Sequence, residues 1–231
     1  LRQSLILAQD LNGISGTINQ ITEEMVEEGT IRLDQLDKSS EGAVPLLNAV
    51  APELVDTMRA KPVNGIFVIF STHDLNGRAD NTYLPCIYIR DLDPSASSTD
   101  RNADLLVERG PASVVKQLGI STDKAWSPAM PYQPMGKESF YKEPFQMAYT
   151  AQSKLSADDY GRWTPTTFKL QGDDRDAIAY ARPLILEDGT VYGVVGVELL
   201  TSYLETQLPS EELQNADHGT YMLVTTDADL K

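Results

Sequence analysis

The apolar positions at the start of the chain repeat with a helical period. Leu7, Leu11, Ile14, Ile18, Ile21 and Met25 are spaced four, three, four, three and four residues apart, which is the stripe of an amphipathic helix. The spacing predicts one long helix over residues 1–36, in a leading unit 1–38. Gly13 and Gly16 fall inside it and each costs about 1 kcal/mol relative to Ala, so tertiary packing must support the helix. Such a stripe serves either as a face laid on a sheet or as the seam of a homodimer. Different lengths of one helix can do both. A second helix is predicted over 41–60, with Ser39 and Ser40 as N-caps and Val44, Leu47, Ala51, Leu54 and Met58 on one face. Pro62 stops it.

The period then changes to that of strands. Gly65 to Phe70 is a short β-branched and aromatic run, followed by the turn Asp74-Leu75-Asn76-Gly77 and a second strand from Tyr83 to Arg90. Residues 91–102 read as a loop and Pro111 to Leu118 as a short helix. Residues 121–174 carry Pro128, Pro131, Pro134, Pro144 and Pro165 and show no period. Ala177 to Leu186 and Thr190 to Leu200 form a hairpin about Asp188-Gly189. A short helix from Thr201 ends at Pro209, and Gly219 to Thr226 is one more strand. Helices followed by antiparallel strands place the chain in the α+β class, with helices on one face of a sheet.

Composition narrows the function. The chain has 231 residues, with 19 Lys plus Arg against 34 Asp plus Glu, a formal charge of −15. Such a balance excludes a phosphate-backbone partner, so no nucleic acid is expected, and it opposes charge-driven docking on anionic lipid. Hydrophobic residues make up 41%, enough to bury a real core. The single cysteine, Cys86, excludes an internal disulfide, a redox pair and a Cys-based zinc site. No apolar run is long enough to span a bilayer. Leu1 opens the chain without a signal-peptide pattern, and a fragment of a longer protein is the expectation.

Catalytic motifs are missing. His73 and His218 are the only histidines, and no nucleophile elbow, P-loop or dinucleotide fingerprint occurs. A secreted hydrolase would need convergent groups that no motif marks. Asp173, Asp174 and Asp176, like Asp91 and Asp93, are expected as solvated acidic loops. Neither metal nor cofactor is expected.

Two segments carry a family likeness. Asp176 through Leu184 ends a strand in Arg182-Pro183-Leu184, and after Glu187-Asp188-Gly189 the next strand reads Gly193-Val194-Val195-Gly196-Val197-Glu198-Leu199. Twenty residues before Pro183 stands Trp163-Thr164-Pro165. With the leading helices, this resembles the double-Cache family of bacterial extracytoplasmic sensor domains. The resemblance implies a PAS-like antiparallel sheet with helices behind it and a ligand pocket in front. It also implies a position between two membrane anchors of a histidine kinase, chemoreceptor or cyclic-dinucleotide enzyme. The membrane-distal lobe would span 39–208, and 209–231 would begin an incomplete membrane-proximal lobe. Any membrane contact would run through flanking segments, and any catalytic output would lie outside the chain. The family's ligands imply an amine, a carboxylate or an amino-acid-like molecule. A non-binding spacer that only dimerises the receptor is the alternative.

The candidate ligand-binding residues follow. Trp163 and Tyr160 can give flat walls with polar edges. Arg162 offers a planar fork for a carboxylate, although one of the many acids can equally take it. Thr166 stands in the segment where amino-acid-binding members carry other clamping residues, and Glu198 stands where many of them carry Asp. Alternation places Tyr192, Val194, Gly196 and Glu198 on one strand face, where Glu198 must be paired or line a pocket. Tyr180 and Arg182 share a face of the preceding strand and are expected across from it. Tyr88, with Arg90, completes the set from the second strand.

Overall fold

The computed structural model describes residues 2–39, 41–61, 63–78, 82–93, 102–132, 139–152, 156–169 and 174–206, with side chains from Leu11 onward except that of Ser139. The readings at Ser40, Pro62, Asp173 and His218, the helix end near Pro209 and the unit 209–231 with its strand lie outside these residues, and so does the side chain of Leu7.

Helix α1 (Arg2–Glu27) stops earlier than its periodicity predicts. Gly29, at φ 72°, donates its N–H to the Val26 carbonyl at 3.1 Å, and the Thr30 N–H reaches the Met25 carbonyl at 2.9 Å. This double closure about a left-handed glycine ends a helix cleanly. Ile31 and Leu36 beyond it are buried, so the apolar spacing runs on after the helix has ended. Helix α2 (Val44–Ala60) packs against α1. It starts at Val44 rather than at 41, and Ser39 does not cap it. The Ser39 hydroxyl instead accepts the Gly42 N–H at 3.0 Å, in the turn before the helix.

The strands follow in chain order as β1 (Gly65–Phe70), β2 (Tyr83–Leu84), β3 (Cys86–Asp91) and β4 (Leu105–Arg109). Helix α3 (Ala112–Leu118) precedes β5 (Ser121–Ser127) and β6 (Met130–Pro131). Helix α4 (Ser139–Ala151) and a 3-10 turn (Ala157–Tyr160) lead to β7 (Arg162–Trp163) and β8 (Phe168–Lys169). The long hairpin of β9 (Asp176–Ile185) and β10 (Val191–Leu200) ends in α5 (Thr201–Thr206). The run read as one strand from Tyr83 to Arg90 is divided at Pro85. Its first part pairs with β6 in a small second sheet.

The main sheet has the order β5-β4-β3-β1-β10-β9-β7, with β8 also on β9. All pairs are antiparallel except β4 with β5. The α+β class expected from the sequence is the class observed. On one face Ile66, Val68, Ile89, Val107, Val195 and Val197 meet Leu11, Ile14 and Ile18 of α1 and the apolar side of α2. From Leu11 onward the α1 stripe is therefore committed to its own sheet. On the other face Phe67, Ile69, Tyr88, Ala179, Ala181 and Val194 meet Tyr141, Phe145 and Ala148 of α4. Helices thus cover both faces and not one. The second layer escaped the sequence pattern because Pro144 sits inside α4, where it removes a helical hydrogen bond.

Candidate functional site

The chemistry concentrates on the α4 face of the sheet. Glu198 of β10 is fully buried, yet both carboxylate oxygens are engaged. The Tyr88 hydroxyl donates to Oε1. Arg90 donates from Nε to Oε2 at 3.0 Å and from Nη2 to Oε1 at 3.2 Å. The Nη1 of Arg90 lies 2.8 Å from Oε2 of Glu108 on β4, and Nη2 of Arg109 lies 3.7 Å from the other oxygen of Glu108. One guanidinium therefore bridges two buried carboxylates. The arrangement depends on Gly65, which lies across from both Glu198 and Arg90 in the ladder. Its bare Cα leaves the room through which the two side chains meet.

Burial and charge set the protonation of the cluster. Burial, then the Glu198 carboxylate, push the Tyr88 hydroxyl well above the usual tyrosine range, so it stays a donor. Burial opposes charge on Arg90, but Tyr88, Glu198 and Glu108 outweigh it and hold the guanidinium charged. Burial raises Glu108 above the ordinary carboxylate value; Arg90 pulls it back and Glu198 adds to the rise. On the same strand as Tyr88, burial pushes the Cys86 thiol up to about 12. It is a small core residue with no thiolate character.

The other candidates lie elsewhere. A β-bulge between Val191 and Gly193 shifts the alternation of β10, so Tyr192 does not share the Glu198 face. Its hydroxyl donates to Asn19 Oδ1 of α1 at 2.7 Å and accepts from Thr22 at 3.3 Å, and its ring stacks on Phe70. Tyr180 and Arg182 also face α1. They pair with Val197 and Val195 rather than standing across from Glu198. Arg182 is buried, with Nη1 2.9 Å from Asp158; the same carboxylate accepts from Asn12 of α1 at 3.3 Å. Burial lowers the pKa of Arg182, and Asp158 offsets only part of that.

Trp163 is half-buried and packs on Tyr180 with ring centroids 5.1 Å apart. Arg162 turns back to donate to the carbonyls of Asp159 and Gly161 at 3.0 and 2.8 Å. Thr166 is exposed in the bend after β7. Tyr160 is buried in the α4 core. It forms part of the wall of an open groove of about 630 Å³ that Asn76 and, from α4, Lys142, Met147 and Ala151 also line. The nine candidates thus divide into a Tyr88–Glu198 pair on one face, a Trp163–Tyr180–Arg182–Tyr192 group on the other, and Tyr160, Arg162 and Thr166 at the β7 end.

Glu108 is the member that sequence reading missed. Its signal was the short apolar run Leu105-Leu106-Val107 just before Glu108-Arg109, in a stretch between the 91–102 loop and the 111–118 helix to which the sequence reading gave no element. Asp91 differs from its expected role as well. It closes β3 as a buried residue 3.5 Å from Arg59, not as a solvated loop residue. Asp174 and Asp176 fall beside Lys169, which reaches Asp176 at 3.1 Å. Among the described residues no group of three or more His, Cys, Asp or Glu side chains is placed to hold a metal. No described helix is long and apolar enough to cross a membrane.

No family model and no curated protein matches the sequence. Solved structures do resemble it at low identity. One is an extracellular domain assigned to a histidine kinase, soHK1S-Z6, at TM-score 0.39 and 14% identity over 89% of this chain and 63% of that one. Another is the methyl-accepting chemotaxis protein X, at TM-score 0.39 and 14% identity over 90% of this chain and 67% of that one. A third is the periplasmic sensory domain of the Campylobacter jejuni chemoreceptor Tlp1, at TM-score 0.37 and 14% identity over 92% of this chain and 65% of that one. The chain spans about two thirds of the length of these structures or slightly less. Its own architecture has the leading helices and the antiparallel sheet that the Cache resemblance implies, but the face expected to stand open is covered by α4.

Proposed function

We propose that this chain is an extracytoplasmic sensing domain of a bacterial transmembrane receptor, and that the α4 face of its sheet receives the stimulus. One observation carries the reading. Strand β10 presents Glu198, tied to Tyr88 and Arg90, on one face and Tyr192, tied to Asn19 and Thr22 of α1, on the other. A change in the charged cluster and a change in the long helix therefore share one strand. A buried ion cluster contributes little to stability compared with apolar packing; its value here is a charge pattern that a ligand can compete for. An amine would compete with Arg90 for Glu198, and a carboxylate would compete with the two glutamates for Arg90. An amino-acid-like molecule would do both. A ligand shifts such an equilibrium only by its differential affinity for two states.

Dimerisation belongs to the same proposal. With the apolar stripe of α1 laid on its own sheet, a second copy would meet the outward face, where Gly13, Gly16, Gln20 and Glu24 are exposed.

A second reading rests on a specific feature. Both oxygens of Glu198 are already held within the chain, as they would be in a spacer domain that binds nothing. A thermal-shift screen with amines, carboxylates, amino acids, sugars and nucleobases separates the two. A ligand at about 100 times its dissociation constant adds about 2.7 kcal/mol, which for a domain of this size is a shift on the order of 5–10 °C. A sensor gives such a shift for one chemical class and loses it in Glu198→Gln or Arg90→Met. A flat response across the library supports the spacer and overturns the sensing proposal.

A further inference from the structure

The chain contains three Asn-Gly pairs, Asn12-Gly13, Asn64-Gly65 and Asn76-Gly77, and the fold places them in three different settings. Asn12-Gly13 lies inside α1, where helical hydrogen bonding fixes the backbone, and the Asn12 amide is held on Asp158 at 3.3 Å. Asn64-Gly65 opens the central strand. Asn64 is buried, its N–H donates to the Glu198 carbonyl at 3.1 Å, and its own carbonyl accepts the Asp91 N–H at 2.9 Å. Asn76-Gly77 stands exposed in the turn after β1. The Asn76 N–H is held by Asp74 Oδ1 at 2.8 Å, while the next bond of the turn runs from the Arg78 N–H to the Leu75 carbonyl. Among the described residues none holds the Asn76 side-chain amide or the Gly77 N–H.

We infer that Asn76 is a site of self-modification by deamidation in the native protein, and that Asn12 and Asn64 are not. The Gly77 nitrogen attacks Cγ of Asn76. The new N–Cγ bond closes a five-membered succinimide, the Cγ–Nδ2 bond breaks, the amide N–H proton leaves with the departing group, and ammonia is released. Water then opens the ring on either side, giving Asp or isoaspartate. No oxidant or cofactor enters. Glycine at the second position matters because no side chain blocks the approach. The reaction also needs the backbone to rotate about Asn76, a freedom that a helix interior and a paired central strand deny. The product carries a new negative charge. Asn76 rims the α4 groove beside Lys142 and Glu143, and two residues later Arg78 grips Asp37 at 2.8 Å. The modification therefore adds charge at the groove. In its isoaspartate form it also lengthens the main chain beside that grip.

The inference stands apart from the sensing proposal and is tested on the full chain. The protein is incubated at mildly alkaline pH and physiological temperature, digested, and mapped by mass and by enzymatic labelling of isoaspartate. Conversion at Asn76 is expected at least about ten times faster than at Asn12 or Asn64. In concentrated urea the three sites should convert at similar rates, since the chain then has the same freedom at each. Gly77→Ala should silence the site without disturbing the turn. Gly77 does not hold a positive φ, and a Cβ there meets nothing nearer than the Asp74 carbonyl at 4.0 Å. Equal rates at the three sites in the native chain, or an Asn76 as inert as the other two, overturn the inference.

Discussion

Arg90 and Glu198 belong to strands that do not pair, and they meet across Gly65 of the strand between them, 3.0 Å apart at Nε and Oε2. A Cβ at position 65 would lie 2.5 Å from that Oε2 and 3.1 Å from the Cβ of Glu198. The neighbour cannot retreat, because Glu198 is fully buried and bonded on both oxygens. Gly65→Ala should therefore destabilise the fold by about 1–3 kcal/mol, the usual cost of overpacking a filled site. Urea unfolding measures it. An unchanged midpoint would show that the cluster is looser than its geometry implies.

The two partners of this pair are not equivalent. Replacing Arg90 with Met leaves Glu198 and Glu108 facing each other without their shared cation, the costly way to break a buried ion pair, at about 3–5 kcal/mol. Replacing Glu198 with Gln removes one charge but keeps an acceptor for Tyr88 and leaves Arg90 with Glu108. A lost charge-assisted hydrogen bond costs about 1.5–3 kcal/mol. Arg90→Met should unfold at the lower denaturant concentration. The reverse order would mean that Glu198, not Arg90, organises the cluster.

Two buried acids should give opposite pH dependences. Burial pushes Asp37 up, but hydrogen bonds from Arg78 and Thr72 and the nearby His73 more than reverse it, so its folded pKa lies below the ordinary 3.8. Such a group contributes stability above that value and loses it as pH falls through the lowered folded pKa. Glu108 is raised above its ordinary 4.5. Its folded form binds the proton more tightly than the unfolded chain does, so stability falls as pH climbs from 4.5 toward the raised value and then levels. Asp37→Asn should flatten the acid limb of a thermal-midpoint profile, and Glu108→Gln should remove the decline above 4.5. Either variant running parallel to the parent protein in its own window would refute the corresponding assignment.

The hairpin was legible because its strands are long, apolar and joined at Asp188-Gly189, and β1 was legible for the same local reason. Glu198 announced itself as a charge in an apolar strand, and the structure pairs it, one of the two readings that burial allows. What the sequence hid was non-local. A single bulge residue sends Tyr192 to the helix side, and alternation cannot show a bulge. The positions of Tyr180 and Arg182 depended on hairpin register, which the turn alone leaves open. Glu108 joined the cluster through the pairing of β3 with β4, and no spacing rule links it to Glu198. Helix α4 was masked by its own proline.

Helix α1 supplies the last prediction. Gly13 and Gly16 are exposed, and a Cβ at either would meet nothing within 4 Å. Among the described residues nothing in the packing requires glycine there, and each glycine costs a helix interior about 0.5–1 kcal/mol relative to alanine. Gly13→Ala and Gly16→Ala should each raise the thermal midpoint of the monomer, on the order of 1–4 °C per substitution. A fall instead would mean that α1 is not helical through this stretch in solution. The same pair tests the dimer. If a second copy approaches over these bare positions, two methyl groups push the helices apart, and sedimentation at high concentration should show weaker self-association in the double variant although its fold is more stable. An association left unchanged by the two methyl groups would place the contact on another surface.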